Sequence, residues 1–76
     1  MKELVELLVK ALVDYPDAVD IQERETDSSV IVEVRVADED VGKVIGKGGR
    51  VVKAIRTVVK AAASRGTKKV MVEILS

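Results

Sequence analysis

The sequence predicts a single α+β domain over residues 1–76, in the order helix, strand, strand, helix, helix, strand. Three observations carry that prediction. Apolar residues recur at helical spacing near the N-terminus and again after Arg50. Val30, Val32, Val34 and Val36 alternate with Ile31, Glu33 and Arg35, the pattern of a half-buried strand. Between the helical stretches lies Val44-Ile45-Gly46-Lys47-Gly48-Gly49-Arg50, whose glycines interrupt what otherwise reads as one long helix. Each glycine weakens a helix by about 1 kcal/mol relative to alanine, so the stretch is a loop between two helices.

The elements follow in order. Lys2 to Asp14 is predicted helical, with Leu4, Leu8, Ala11 and Leu12 on the buried stripe. Tyr15-Pro16 ends it, because the residue before proline is pushed out of the α region. Asp17 to Thr26 reads as a strand with Val19 and Ile21 inward, and Asp27-Ser28-Ser29 as a turn. Val30 to Ala37 is the clearest strand. Asp38 is expected to cap a short second helix, with Glu39 and Asp40 in its first turn, where the helix dipole favours acids. That role explains three adjacent acids without a metal. Gly42, inside this helix, fits either close packing against a neighbour or room for a ligand.

The third helix runs from Arg50 to about Arg65. Val51, Ala54, Ile55, Val58 and Ala62 form its expected core stripe, and Arg56, Lys60 and Lys53 occupy the remaining face with Thr57 and Ser64. Gly66 suits a left-handed C-cap. Lys69 to Leu75 is the last strand, with Val70, Val72 and Ile74 inward.

Composition narrows the function. The chain has no Cys and no His, which removes thiolate metal sites and the commonest general base, and no carboxylate pair adjoins a phosphate pocket. An enzyme is not expected, nor a metal or other cofactor. No apolar run approaches the ~20 residues of a membrane span, so a soluble, cytoplasmic protein without a membrane partner is expected. The net charge of +0 conceals a division. Residues 1–40 carry four bases against twelve acids, a net of −8, and residues 41–76 carry nine bases against Glu73 alone, a net of +8. No acid lies between Val41 and Lys69, which points to a polyanion partner for the second half.

The glycine loop supplies the matching chemistry. It delivers amide groups at the N-terminus of the next helix, where the dipole also attracts anions. Lys47 at the tip and Arg50 add positive charge. A Walker A loop does not fit: only three residues separate Gly42 from Gly46, Gly48 follows the lysine, and the preceding segment is helical rather than a strand. A dinucleotide fingerprint fails as well, since no G-x-G-x-x-G follows a strand. Helix–G-x-x-G–helix remains, the loop that clamps about four nucleotides in KH domains.

From Val44 to Ile55 the apolar pair, the G-x-x-G and the helically spaced apolar residues resemble the KH signature. The element order resembles a type II KH domain (α-β-β-α-α-β), and the whole chain is similar to the small stand-alone bacterial KH proteins of the KhpA type. That resemblance implies three helices on one face of a three-stranded mixed sheet. It also implies a single-stranded RNA-binding protein, an RNA chaperone or post-transcriptional regulator linked to cell shape and cell-wall biogenesis. Its partners would be RNA together with a second copy, a larger multidomain KH protein of the KhpB type, or both. RNA would lie between Gly46 to Gly49 on one side and the Arg65–Lys69 loop with the start of the last strand on the other. The loop amides, Lys47 and Arg50 would hold phosphates, and Lys43, Lys53, Arg65, Lys68 and Lys69 would supply the surrounding field. Val41, Val44 and Ile45 are candidates for an apolar floor, though Val44 and Ile45 also fit an ordinary core. Main-chain groups of Lys69 to Met71 are candidates for reading base edges. Tyr15, the only aromatic, lies far from the loop in sequence.

Three further expectations stand beside these. Apolar positions of the third helix cover an arc of roughly 200° at 100° per residue, wider than one seat on a sheet requires. The edge formed by Val52, Val59 and Ala63 is therefore expected to be a self-association surface, the alternative being that the first helix covers it. Because the loop holds a backbone and its amides do not distinguish sugars, single-stranded DNA is an alternative ligand. A protein-interaction module with weak or no RNA binding is the alternative from another class.

Overall fold

The structure, a computed structural model, describes residues 1–75. Helix α1 (Lys2–Leu12) is followed by a single 3-10 turn at Pro16–Ala18 and the antiparallel pair β1 (Asp20–Glu25) and β2 (Ser29–Arg35). A 3-10 turn at Asp38–Asp40 leads into α2 (Val41–Ile45), the glycine loop, α3 (Arg50–Ala62) and β3 (Lys69–Leu75). The sheet order is β1-β2-β3, with β3 parallel to β2 and exposed as an edge.

The alternation read from the sequence holds. Ile21, Val32, Val34 and Val72 point from the sheet into one core, which Val5 and Val9 of α1, Val44 of α2 and Ile55 and Val59 of α3 fill from the helical side. All three helices thus cover the same face. The core is largely valine, and β-branched side chains with few rotamers to lose are suited to strands.

Several boundaries differ from expectation, each for a local reason. Helix α1 stops at Leu12 rather than Asp14, because the Asp14 and Tyr15 amides donate to the Asp40 carboxylate, both at 3.0 Å. The buried line of α1 is Val5 and Val9, with Leu4 and Leu8 half-buried beside it and Leu12 exposed. Strand β1 starts at Asp20 because Tyr15 and Pro16 carbonyls accept from Ala18 and Val19 in a tight turn. The Asp38 side chain makes no capping bond, and Asp40 serves instead to pin the α1–β1 connection onto α2. Helix α3 ends at Ala62, and Gly66 lies outside the left-handed region, so the turn is closed by Gly66 N–H donating to Ala63 O at 2.9 Å.

The largest correction concerns the face of α3. Its buried residues are Val52, Ile55 and Val59, while Ala54 and Ala62 are exposed and Val58 is 45% exposed. On the ideal wheel of 100° per residue, this seat is turned by about 75° from the expected one. The proposed self-association edge is therefore wrong: Val52 and Val59 are 8% and 1% exposed, and Ala63 is half-buried. An apolar arc twice as wide as its seat leaves the rotation open. Turning it this way leaves small alanines in water and brings Arg56 and Lys60 down to the β3 edge.

Candidate nucleic-acid interface

The glycine loop is built by backbone geometry. Gly46 ends α2 with its N–H donating to Gly42 O at 2.8 Å, and adopts φ 77° and ψ 170°. A Cβ on Gly46 would stand 2.3 Å from Val51 Cγ2 and 2.8 Å from Val51 N, so the close approach of loop and α3 requires glycine. Gly48 is left-handed at φ 65°, with open space around it. Gly49 N–H donates to Gly46 O at 3.1 Å and Arg50 N–H to Lys47 O, which closes the loop. Among the described residues, the Lys47 and Gly48 amides have no main-chain acceptor. These two exposed donors precede α3 directly, where its dipole presents positive potential.

The cations expected around this loop divide into two groups. From Val41 onward, carboxylates engage only Lys43 and Lys68 among the described residues. Lys43 hydrogen-bonds Asp14 and lies 3.9 Å from Asp40. Chiefly through the Asp14 hydrogen bond, its pKa is raised above the ordinary 10.5. A raised lysine pKa stabilises the fold below the ordinary value and loses that effect as pH climbs through the raised one. Lys43 is thus charged at all physiological pH. Lys68 pairs with Glu25 at 2.9 Å. Lys47, Arg50, Lys53, Arg65 and Lys69 are exposed and lack carboxylate partners among the described residues.

Arg56 and Lys60 are absent from the expected site. With Val70, Met71, Val72 and Glu73 they line a groove of about 350 Å³ between α3 and β3. A second hollow of about 280 Å³, lined by Lys60, Ser64, Lys68, Lys69 and Val70, continues it toward the α3–β3 turn. The signal was present in the sequence as the i, i+4 pair Arg56 and Lys60, but the expected seat of α3 turned that pair toward solvent.

The edge strand presents fewer base-reading groups than expected. Lys69 N–H donates to Ser28 O at 3.0 Å, so Lys69 and Met71 direct their main-chain groups toward β2. By the period of two, Val70 and Val72 direct theirs to the free edge, and Arg56 Nε donates to Val72 O at 3.1 Å. Of Lys69 to Met71, only Val70 offers main-chain groups to a ligand. Val44 is 0% exposed and belongs to the core, which removes it from any floor under bases, whereas Ile45 at 38% remains accessible. A Cβ on Gly42 would meet nothing within 4 Å, so close packing is not its reason. Tyr15, distant in sequence, is brought to α2 by the Asp40 clasp and is half exposed.

Comparison with known proteins agrees with this geometry. The family model of the KhpA/KhpB KH domain matches residues 2–74. Over 75 residues the chain is 59% identical to a Clostridium perfringens protein named RNA-binding protein KhpA, covering 99% of this chain and 100% of that one. The Caldanaerobacter subterraneus protein of the same name is 57% identical over 75 residues, with the same coverage. Among solved structures, Era of Aquifex aeolicus superposes with a TM-score of 0.65 at 18% identity, over 97% of this chain and 30% of that one. The match to Era speaks for the fold alone. Helices on one face of a mixed β1-β2-β3 sheet, with the glycine loop between α2 and α3, form the type II KH arrangement. By fold, family model and relatives of matching length, the chain belongs to the KhpA/KhpB KH-domain family.

Proposed function

We propose that this chain is an RNA-binding protein that grips the backbone of single-stranded RNA with Gly46 to Gly49 and lays the bases along the α3–β3 groove. The observation that carries this reading is the pair of acceptor-free amides at Lys47 and Gly48, set at the head of a helix whose groove side carries Arg56 and Lys60. Phosphate oxygens are the acceptors such amides match. The names of the relatives support RNA as the polyanion, and the family resemblance supports a role as an RNA chaperone or post-transcriptional regulator in the cytoplasm, tied to cell shape and cell-wall biogenesis.

The test is Lys47→Asp combined with Gly48→Asp. Gly48 sits in the left-handed region with open space, and aspartate tolerates that region better than most residues. We expect an unchanged circular dichroism spectrum and loss of RNA binding. A folded double mutant with wild-type affinity would overturn the loop assignment, and competition by single-stranded DNA of the same sequence tests the sugar preference.

A second surface supports association with another copy or with a larger KhpB-type KH protein. Val58 of α3 is 45% exposed, one turn from the exposed Ala54, and Leu7 of α1 is 68% exposed, so both helices leave apolar area in water. Val58→Glu is expected to shift the mass seen by light scattering to that of a monomer. A wild-type protein already monomeric at tens of micromolar excludes self-association there.

A further inference from the structure

We propose that Arg56 makes the α3–β3 groove selective for bases presenting two adjacent hydrogen-bond acceptors, cytosine or guanine, over uracil and adenine. The inference rests on the RNA-binding reading above and names the bases that its groove would take. Arg56 reaches from α3 to the free edge of β3, where Nε donates to Val72 O at 3.1 Å. A guanidinium is a rigid planar fork of five N–H donors. Anchoring Nε fixes the plane of that fork, and its four Nη donors have no partner among the described residues. The Arg56 side chain lines the groove of about 350 Å³, which lies at the lower end of the ~300–1,000 Å³ of small-molecule sites.

The chemistry of the bases then decides. Two parallel N–H groups meet O6 and N7 of guanine, or O2 and N3 of cytosine, as two good hydrogen bonds. Uracil alternates O4, N3–H and O2, and adenine alternates its amino group with N1 or N7, so each sets a donor against an arginine N–H. Val70, whose N–H and C=O face the same free edge, adds a second filter. Its C=O can accept from the cytosine amino group that lies next to N3. The bland alternative is that Arg56 merely covers an edge strand against pairing with other chains. That role predicts no effect on which RNA is bound.

Fluorescence anisotropy with uridine octamers carrying one central C, G or A, at fixed salt, tests the proposal. Wild type is expected to bind the C or the G octamer about 5- to 100-fold more tightly than the all-uridine one, with A like U. Arg56→Lys keeps the charge and loses the fork, so whatever its overall affinity it should bind all four octamers within about twofold of one another. Octamers with 3-deazacytidine or 7-deazaguanosine, each one acceptor short, should lose the preference with the wild-type protein, independently of any mutant. Binding of all four octamers alike by wild type, or a preference that survives Arg56→Lys or the deaza bases, overturns the role of Arg56 while RNA binding stands. Failure of wild type to bind any octamer overturns the RNA reading itself.

Discussion

Gly46 holds φ 77° and ψ 170°, a region closed in practice to residues with a side chain, and a Cβ there would collide with Val51. Backbone strain of this kind costs about 1–3 kcal/mol before the clash is counted. Gly46→Ala is therefore expected to lower the melting temperature by roughly 10 °C or more, taking ~4–8 °C per kcal/mol for a domain of this size. A melting curve within a few degrees of wild type would show that the loop has another conformation. Asp40 is the other residue on which the local structure depends. It is 0% exposed and both of its oxygens accept main-chain amides, of Asp14 and Tyr15. Asp40→Ala leaves both donors without a partner and should cost about 2–4 kcal/mol in urea unfolding, with faster amide exchange at Asp14 and Tyr15 than elsewhere in the chain. The G-x-x-G was legible because its glycines are demanded by backbone geometry at fixed positions. The Asp40 clasp was not, because its partners lie 25 and 26 residues away and an acid before a helix reads as a cap.

At the scale of the element, α3 separates what a periodic pattern can state from what it cannot. The sequence located the helix and its start correctly, since the loop glycines and the spacing of apolar residues are local. Its rotation is a tertiary property, chosen by which part of a wide apolar arc packs best on β2 and β3. The same ambiguity affected α1, where Val5 and Val9 took the seat expected for Leu4 and Leu8. Strands escaped it because a period of two leaves only two choices of face. The rotation of α3 is directly testable. Val59 is 1% exposed and Val58 45%, so Val59→Glu places an unpaired carboxylate in the core, at a cost of several kcal/mol, while Val58→Glu places it in water. We expect Val59→Glu to be unfolded by circular dichroism and Val58→Glu to keep a wild-type spectrum. The reverse result would restore the seat first expected from the wheel.

At the scale of the whole molecule, the chain separates its charge by topology. Residues 1–40 form α1, β1 and β2, and residues 41–75 form α2, α3 and β3, so the acidic and basic halves lie side by side in a body 35 Å long. Screening over ~8 Å at physiological ionic strength keeps most of the acidic half from cancelling the field at the groove. The exceptions are the carboxylates in direct contact with groove-side cations, Asp14 on Lys43 and Glu25 on Lys68. Exposed pairs of this kind contribute little stability, and a phosphate must compete with them for the lysine. If the glycine loop clamps about four nucleotides, as proposed above, the logarithm of RNA affinity should fall with the logarithm of salt with a slope of about −2 to −3, at ~0.7 per phosphate of a single strand. Lys53→Ala or Lys69→Ala should each flatten that slope by up to about 0.7, while Lys2→Ala and Lys10→Ala on α1 should leave it unchanged. Lys43→Ala and Lys68→Ala should do less than Lys53→Ala, because their charge is already partly neutralised. Asp14→Asn and Glu25→Gln should act in the opposite sense, tightening RNA binding by releasing those lysines. Isothermal titration across a salt series measures all of these together. Equal losses for every lysine, or no gain from either neutralised acid, would mean that RNA responds to total charge and not to a groove.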